Sequence, residues 1–288
     1  MEIALEVNPK IFILLPVHNR KNITIKFIDC LLVQTYQNYQ LLLIDDGCSD
    51  GTVEMVQSRV KNLTVLKGKG RWWWAGSLQQ GYNWLKSKKI NSDYMVLIMN
   101  DDTTFEKDFL STGVRILSQN SHTLLGAQAY SLQDNHLIDK GVSIDWSKFS
   151  FRQAQSPADI NCISTRGLFI YAGDFLKLNG FFPRILPHYS SDYEFTIRAH
   201  RKGMRLFTDP SLKLYGDEQA SGQRKFASES VVTHIKEVFS KSSVRNPIYS
   251  TIFVLLACPW KWKIKNVTKI WIGIVRGGIR RTVMKLML

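Results

Sequence analysis

Short apolar runs alternate with segments of helical periodicity along the first third of the chain. Four nearly unbroken apolar runs occupy residues 10–17, 40–45, 63–66 and 94–99. Runs of this kind are typical of strands that are buried on both faces, as in a parallel sheet. The segments between them predict helices over residues 22–35, 50–59 and 78–86. Strands that alternate with helices predict right-handed crossovers, and therefore an α/β fold with a mostly parallel central sheet flanked by helices.

The second half of the chain mixes strand-like and helix-like segments. Strands are predicted over residues 123–130, 137–144, 166–172 and 205–208. Helices are predicted over residues 174–179 and 192–202. The composition is that of a globular chain, with 44% apolar and 22% charged residues. Because no internal repeat or low-complexity linker interrupts the pattern, we predict that residues 1–223 pack as one domain.

Residues 224–288 form a tail that differs from this domain in charge and in pattern. The tail carries 13 Lys and Arg against 2 Asp and Glu, whereas residues 1–223 carry 25 against 22. Most of the net charge of +14 therefore lies in the tail. Its apolar stretch, residues 248–258, falls short of the roughly 20 residues that span a bilayer.

Tryptophans and lysines interleave after that stretch, which is typical of a helix lying in a membrane interface. We predict that residues 245–288 bind an anionic membrane surface as a basic, tryptophan-rich amphipathic helix. The alternative is that this helix packs on the body or on a second subunit, which would make the protein a homo-oligomer. Nucleic-acid binding is not expected, because the basic residues are confined to the tail instead of spreading over the sheet.

The cysteines and the N-terminal sequence bear on the cellular compartment. Four cysteines lie far apart without ligand-like spacing, which favours free thiols in a reducing compartment: Cys30, Cys48, Cys162 and Cys258. The first residues are acidic and show no signal-peptide pattern. We therefore expect a cytoplasmic protein that is peripheral on the inner face of the cell membrane.

Acidic turns follow two of the predicted strands. The strand over 40–45 runs into Asp45, Asp46 and Gly47, and the strand over 94–99 runs into residues 100–102, which read Asn-Asp-Asp. The carboxyl ends of strands in an open α/β sheet border the crevice where ligands bind. These turns therefore predict one cleft that offers oxygens to a divalent cation and to a nucleotide.

Five motifs stand in the order and spacing of the family 2 glycosyltransferases of the GT-A fold. They are Pro16–Arg20, Ile44–Thr52, Arg71–Ser77, Asn100–Thr103, and Gly180–Phe182 with Ser191–Glu194. The chain resembles this family over roughly residues 10–222, and particularly its rhamnosyltransferase-like bacterial members. The resemblance implies inverting, metal-dependent sugar transfer from a UDP- or dTDP-linked donor to a saccharide or lipid-linked acceptor. Surface polysaccharide or glycolipid synthesis would be the pathway.

The resemblance also assigns metal and catalytic roles. Asp102 stands in the family's DxD element and would ligate Mg²⁺ or Mn²⁺, while Asn100 replaces the first Asp of that element. Asp217 occupies the place of the family's late metal-binding His. Asp192 is the candidate general base, with Ser191 in place of the usual Glu. Ordinary turn or helix-capping roles for Asp102 and Asp192 stay open.

The residues expected to bind the nucleotide-sugar are Pro16, Val17, His18, Arg20, Asp45, Asp46, Arg71, Trp74, Gly76 and Asp101. A carboxylate at the second strand tip can accept hydrogen bonds from ribose hydroxyls or a pyrimidine imide. The glycine-containing loop before the three tryptophans can approach the diphosphate closely. An exposed tryptophan can pack on the sugar ring, while Trp72 is expected to fill the gap between sheet and helix.

Two other functions are weighed against sugar transfer. A sugar nucleotidyltransferase would place a glycine-rich loop after the first strand, whereas residues 16–20 contain no glycine. A non-catalytic membrane-peripheral module that binds a glycan or a partner protein stays open. The replacement of three residues of the family's usual motifs, described above, is what leaves that alternative.

Overall fold

A computed structural model of the chain describes residues 8–219 and 231–286. The strands of this part are β1 (Ile11–Val17), β2 (Tyr39–Asp45), β3 (Leu63–Lys67), β4 (Met95–Ile98), β5 (Thr103–Thr104), β6 (Thr123–Ser131), β7 (Leu137–Asp139), β8 (Val142–Asp145), β9 (Ser150–Gln153), β10 (Leu168–Tyr171) and β11 (Arg205–Gly216). The helices are α1 (Lys21–Leu32), α2 (Thr52–Arg59), α3 (Trp73–Ser87), α4 (Phe109–Ser118), α5 (Ala172–Lys177), α6 (Ser191–Arg201), α7 (Val231–Val238), α8 (Pro247–Ala257) and α9 (Trp260–Leu286).

A nine-stranded sheet with the order β3-β2-β1-β4-β10-β6-β11-β5 forms the centre, and β7 pairs with β6. Strands β1 to β4 are parallel to one another, and β11 is parallel to β6 along most of its length. Strand β10 runs antiparallel between β4 and β6. The predicted α/β fold with a mostly parallel central sheet is confirmed.

The sheet is buried on both faces, as its unbroken apolar strands require. Ile11 and Ile13 of β1 pack into one apolar cluster, while Phe12 and Leu14 pack into another. Helices α1, α2 and α4 cover the first face, and α3, α5 and α6 cover the second. Each strand therefore loses apolar surface to solvent on both sides, which stabilises the sheet and leaves its carboxyl edge as the open place for a ligand.

Some element boundaries differ from the predictions. Helix α3 begins at Trp73 instead of residue 78, because the carboxylate of Asp46, directly after β2, accepts the backbone N–H groups of Trp72 and Trp73. The single strand predicted over 137–144 is two strands, β7 and β8, separated by Gly141 with a φ of +103°. Strand β9 was not predicted, and it pairs with β8 as a hairpin. Strand β11 continues past residue 208 through an irregularity between Asp209 and Lys213.

The tail packs on the β8–β9 hairpin through α9. The buried Asn266 donates a hydrogen bond from Nδ2 to the carbonyl of Trp146 (2.9 Å), and Lys265 Nζ donates to the carbonyl of Ser147 (3.0 Å). Among the helices of residues 8–219 and 231–286, none has the length and apolar character to cross a membrane. The predicted boundary at 223/224 lies outside the described residues. All four cysteines are free thiols, as predicted.

Within helix α6 a buried ion pair positions Arg198, which links the helix to the body. Arg198 donates to both oxygens of Glu194, at 2.8 and 3.0 Å, and to the carbonyl of Gly180 at 2.7 Å. Only 5% of Glu194 is exposed, so removal of its partner would leave a buried charge without compensation. We expect Arg198→Ala to destabilise the fold by about 3–5 kcal/mol. The matching loss in Tm is roughly 6–20 °C in a thermal melt.

The control for this prediction is Arg205→Ala. Arg205 is an exposed arginine that hydrogen-bonds Asn120 at 3.1 Å, and its loss is expected to change stability by less than about 1 kcal/mol. Equal melting temperatures for the two variants would contradict the stabilising role of the Glu194–Arg198 pair.

Candidate active site

A cavity of about 410 Å³ lies at the carboxyl edge of the sheet, where β1, β2 and β4 end. Eight of the predicted site residues line it: Pro16, Val17, His18, Arg20, Asp46, Trp74, Asp101 and Asp102. Seven further residues complete its wall: Gly70, Trp73, Ser77, Asn100, Arg166, His188 and Tyr189. The position agrees with the rule that open α/β sheets bind ligands beyond the carboxyl ends of their strands.

Asp46 orders the aromatic wall of the cavity. Its Oδ1 accepts the backbone N–H of Arg71 at 2.9 Å, and its Oδ2 accepts those of Trp72 and Trp73, each at 3.0 Å. An anionic acceptor at a helix N-terminus is favoured both by the free amides and by the helix dipole. This capping begins α3 five residues earlier than the sequence pattern predicts. The carbonyl of Asp46 also lies 2.7 Å from Nδ1 of His18.

The three consecutive tryptophans take different positions. Trp72 packs against the apolar cluster between sheet and helix, as predicted, while Trp73 and Trp74 line the cavity. Trp73 has a φ of +57°, a left-handed conformation that is unusual for a bulky side chain. The hydrogen bond from its amide to Asp46 holds this strained backbone. The Trp73 ring lies 5.6 Å from the ring of His188.

Arg20 links the two acidic residues that follow β4. Its guanidinium lies 3.0 Å from Asp101 and 3.1 Å from Asp102. Asp101 also accepts a hydrogen bond from the hydroxyl of Thr24 at 3.0 Å. Burial raises the pKa of Asp101 to about 6, and the Arg20 charge opposes this rise while the neighbouring Asp102 adds to it. Arg20 therefore holds two carboxylates together at the cavity wall.

Asp102 presents an unused oxygen. Its Oδ2 is bonded to Arg20, whereas its buried Oδ1 has no hydrogen-bond partner among the described residues. Buried polar atoms are rarely left in this state, and an oxygen of this kind suits a hard divalent cation. The backbone N–H of Asp217 donates to the carbonyl of Asp102 at 3.0 Å, which brings the two predicted metal residues to adjacent strand ends.

The side chain of Asp217 does not line the cavity. Its Oδ1 accepts a hydrogen bond from Nε2 of Gln133 at 2.8 Å, and Lys26 lies 4.0 Å from its Oδ2. The observed donor set for a cation at the cavity is therefore centred on Asp102.

Asp192 lies in the first turn of α6, partly buried, and is not among the residues that line the cavity. Burial raises the pKa of its carboxyl to about 6, with the charge of Asp139 raising it further and that of Arg166 lowering it. Arg166 lines the cavity, so the charge of a cavity residue acts on the carboxyl of Asp192. Ser191, in place of the family's Glu, donates its hydroxyl to the carbonyl of His188 at 2.6 Å.

Three residues predicted to bind the nucleotide-sugar lie outside the cavity wall, which corrects their expected placement. Asp45 accepts the backbone N–H of Cys48 at 2.6 Å and stabilises the turn after β2. Arg71 contributes its backbone amide to Asp46, and its side chain is exposed. Gly76 is buried in α3, where a Cβ would lie 3.1 Å from Cβ of Trp72. Close helix packing explains this glycine.

Arg166, His188 and Tyr189 are cavity residues that the sequence analysis did not assign. The pattern placed Arg166 inside a strand over 166–172, but β10 begins at Leu168, so Arg166 belongs to the preceding loop. Burial lowers the pKa of His188, and its Nδ1 is buried without a partner in the described part of the chain. No periodic signal marks these residues, since all three lie in irregular segments.

Comparison with solved structures identifies the architecture. The chain superposes on S. aureus TarS in complex with UDP-GlcNAc with a TM-score of 0.61 and 14% identity, covering 91% of this chain and 71% of TarS. It superposes on the mannosyltransferase PcManGT of Pyrobaculum calidifontis, in complex with GDP-Man and Mn²⁺, with a TM-score of 0.52 and 13% identity, covering 97% and 79%. At these identities the likeness shows the fold, and the predicted GT-A architecture is confirmed.

Sequence relatives cover the chain in part. An uncharacterized glycosyltransferase of Rickettsia conorii is 44% identical over 122 residues, which are 40% of this chain and 19% of that protein. The Escherichia coli glucosyltransferase WfgD is 24% identical over 156 residues, which are 53% of this chain and 57% of WfgD. The matched regions thus span a fifth of the rickettsial relative and somewhat over half of WfgD.

The profile of glycosyl transferase family 2 matches residues 12–175. The matched segment runs from β1 to α5 and contains the strand ends that carry Asp46, Asp101 and Asp102. Because it is more than half of the chain, this protein belongs to glycosyl transferase family 2, a family of glycosyltransferase enzymes.

Proposed function

We propose that this protein transfers a sugar from a UDP- or dTDP-linked donor to a saccharide or lipid-linked acceptor, with inversion at the anomeric carbon and with the help of Mg²⁺ or Mn²⁺. The observation that carries the proposal is the cavity wall at the sheet edge. It combines a carboxylate oxygen of Asp102, without a partner among the described residues, with aromatic rings from Trp73 and Trp74. A nucleotide-sugar has matching parts, namely a diphosphate that binds cations and rings that stack.

The residues present fit a divalent cation at Asp102. Its buried Oδ1 is free of hydrogen bonds within the described part of the chain, and carboxylate oxygen is the donor that Mg²⁺ and Mn²⁺ accept. One such carboxylate, together with phosphate oxygens and water, is a sufficient ligand set for these ions. Asp217 lies at the adjoining strand end, but its Oδ1 accepts a hydrogen bond from Nε2 of Gln133 at 2.8 Å, so its side chain would have to turn to join the same ion. The bound cation would supply charge neutralisation for the departing nucleoside diphosphate.

The donor would be held by the residues of the first two strand ends and of α3. His18 and Asp46 lie at one side of the cavity, where the base and ribose would bind, and Pro16 and Val17 would flank the base. The ring of Trp74 would pack on the sugar. Asp46 acts through the backbone of residues 71–73, because its contacts fix the positions of the tryptophans.

Asp192 would act as general base. The carboxylate takes the proton of the acceptor hydroxyl while that oxygen forms a bond to the anomeric carbon. The bond from the anomeric carbon to the diphosphate breaks in the same step, and the nucleoside diphosphate leaves with the electron pair. A single displacement of this kind inverts the anomeric configuration.

The comparisons support the choice of donor class and acceptor class. WfgD is by name a UDP-Glc-dependent glucosyltransferase that acts on a GlcNAc-diphosphoundecaprenol acceptor. TarS was solved with UDP-GlcNAc, and PcManGT with GDP-Man and Mn²⁺. A nucleotide-sugar donor and a lipid-linked or saccharide acceptor are therefore the first to be tested. Such an acceptor would place the protein in surface polysaccharide or glycolipid synthesis.

A thermal-shift panel tests this function. The protein is melted with UDP, dTDP or GDP, each with and without Mn²⁺, and then assayed for release of diphosphate from the matching sugar donors. We expect one diphosphate with Mn²⁺ to stabilise the fold, by about 2.7 kcal/mol at a hundredfold excess over Kd. No stabilisation by any of them would overturn the proposal. Binding without transfer to any acceptor would favour the non-catalytic module instead.

We also propose that the protein attaches peripherally to an anionic membrane surface through its tail. Four of the exposed apolar side chains in the described part of α9, with exposures of 85%, 81%, 41% and 58%, form a stripe, from which Ile272 is offset: Trp260, Ile264, Trp271 and Val275. Successive members are four, seven and four residues apart, so they share one face of the helix. Lys261 and Lys263 flank this face, and a basic apolar stripe of this composition suits an interface with anionic lipid.

Substitution of the apolar stripe should release the protein from membranes. Trp260→Gln combined with Ile264→Gln removes two side chains whose burial would each stabilise binding by about 1.5–3 kcal/mol. We expect at least about tenfold weaker co-sedimentation with vesicles that contain anionic phospholipid. The matched control, Leu32→Gln with Val33→Gln, changes two exposed apolar residues at the end of α1.

Unchanged co-sedimentation of the α9 variant would contradict membrane attachment. A shift from dimer to monomer in size-exclusion chromatography, without any vesicle binding, would instead identify the stripe as a subunit contact.

A further inference from the structure

Arg166 occupies a fixed position between the ends of two central strands. It immediately precedes Gly167, whose backbone N–H donates to the carbonyl of Ile98 at 3.0 Å and whose carbonyl accepts the N–H of Ala127 at 2.9 Å. Ile98 ends β4, and residues 100–102 follow it directly. The loop that carries Arg166 is thus tied by its backbone to the strand that delivers the acidic turn to the cavity.

The guanidinium of Arg166 lies beside the strand ends that carry the predicted metal residues. A Cβ built on Gly216 would lie 3.1 Å from Nη1 of Arg166, so the space that a side chain would take at 216 holds the guanidinium. Gly216 pairs with Thr103, the residue after Asp102. Arg166 therefore lies beside the end of β11, and it lines the same cavity as Asp102.

Within the described residues, the carboxylates and the other arginine of the cavity wall each have a protein partner. Arg20 is paired with Asp101 and Asp102, and Asp46 accepts three backbone amides. Within the described part of the chain, Arg166 has no carboxylate within the 4.0 Å limit of an ion pair. A partly buried guanidinium without a close anion favours an anionic ligand that can accept its forked hydrogen bonds.

We propose that Arg166 binds the diphosphate of the nucleotide-sugar and sets the preference of the cavity for a diphosphate over a monophosphate. This inference rests on the proposed function. Among the described wall residues, Arg166 is the arginine without a close carboxylate, and it lines the same cavity as Asp102, where a cation on the same diphosphate would bind. Its planar fork matches two oxygens of one phosphate, which a lysine would contact only as a point charge.

From this position Arg166 would also act during sugar transfer. Negative charge develops on the terminal phosphate as its bond to the anomeric carbon breaks. A guanidinium fixed in a partly buried wall stabilises this charge without reorganisation of solvent. The charge of Arg166 also lowers the pKa of Asp192, opposing the larger effect of burial.

Binding measurements on Arg166→Gln test the inference without acceptor or turnover. Isothermal titration compares the best-binding diphosphate among UDP, dTDP and GDP with its own monophosphate and nucleoside, with and without Mn²⁺. We expect Arg166→Gln to weaken the diphosphate by roughly ten- to a hundredfold, and to leave the nucleoside unchanged. Arg166→Lys should keep part of the affinity. Arg205→Gln, which removes an exposed arginine at the opposite end of β11, should change nothing.

The outcomes separate this inference from the proposed function. Wild-type protein that binds none of the diphosphates overturns both. Wild-type protein that binds a diphosphate, together with an Arg166→Gln variant of equal affinity, overturns the role of Arg166 alone. If Arg166→Gln lowers the affinity for diphosphate, monophosphate and nucleoside equally, the role of Arg166 is also overturned, because the arginine would then support the fold of the cavity. Melting temperatures of all variants are measured in parallel, and Arg166→Lys serves if Arg166→Gln does not fold.

Discussion

Asp192→Asn is expected to lower the turnover number of sugar transfer by about 100- to 10,000-fold, the usual contribution of a positioned general base. The amide cannot accept the proton of the acceptor hydroxyl, although its shape and position match those of the carboxyl group. Nucleoside diphosphate affinity should stay within about twofold of wild type, because Asp192 is not part of the cavity wall. Single-turnover transfer assays and titration of the diphosphate measure the two effects separately.

The pH dependence of transfer provides a second measurement on the same residue. Burial raises the pKa of Asp192 to about 6, and the carboxyl must be ionised to act as base. The rate of the wild type is therefore expected to be at its plateau above this pKa and to fall as the pH drops through about 6, well above the ordinary value for aspartate. The residual rate of the Asp192→Asn variant should lack this limb.

The melting temperature of Asp192→Asn shows whether a loss of activity comes merely from unfolding. Because folding raises the pKa of Asp192, the ionised form is disfavoured in the folded state at neutral pH, so replacing it by a neutral amide should not lower Tm. The control variant is Ser191→Ala, which removes the neighbouring hydroxyl that donates to the carbonyl of His188. Normal turnover in Asp192→Asn would reject Asp192 as base and would direct attention to another carboxylate near it, such as Asp139.

The fold was predictable because its strands carry a strong signal. Apolar runs such as Ile11–Val17 and Tyr39–Asp45 are buried on both faces, and short unbroken runs separated by amphipathic helices are compatible with few architectures. The start of α3 was not predictable in this way. It depends on the Asp46 carboxylate, which is 27 residues away from Trp73 in sequence and acts only once β2 has joined the sheet.

The candidate site was predictable where it lies at strand ends and not where it lies in irregular loops. Asp101 and Asp102 follow a buried strand, so the sequence pattern alone places them at the carboxyl edge. Arg166 and His188 reach the same cavity from loops without periodicity, and only the tertiary structure brings them there. Spatial convergence of this type leaves no local pattern in the sequence.

For Asp46, the sequence predicted the location of the side chain in the fold better than it predicted the hydrogen bonds that the side chain makes. A carboxylate at the end of β2 was expected to accept hydrogen bonds from the ribose or the base. In the structure its oxygens accept three amides at the start of α3, and they thereby orient Trp73 and Trp74 toward the cavity. Both roles use the same chemistry, since an anionic acceptor satisfies donors from backbone or ligand alike.

Asp102→Asn is expected to abolish the Mn²⁺-dependent part of diphosphate binding and to reduce transfer by roughly 10²–10⁴-fold, since a catalytic cation supplies several kcal/mol of charge stabilisation. The reason lies in the Oδ1 atom, which is buried and unbonded within the described residues. A neutral amide offers a far weaker ligand to a hard cation than a carboxylate does. Arg20 would keep its other partner, Asp101, at 3.0 Å, so the wall should remain in place.

Thermal melts in the presence of the preferred nucleoside diphosphate measure this effect without any turnover. The Tm of the wild-type protein should rise as Mn²⁺ is titrated. The Tm of Asp102→Asn should rise with the diphosphate but should not rise further with Mn²⁺. Asp108→Asn, a change of the same type at the residue before α4, should behave as wild type because Asp108 is exposed and distant from the cavity wall. If Mn²⁺ still raises the Tm of Asp102→Asn in the presence of the diphosphate, the cation binds at a position other than Asp102.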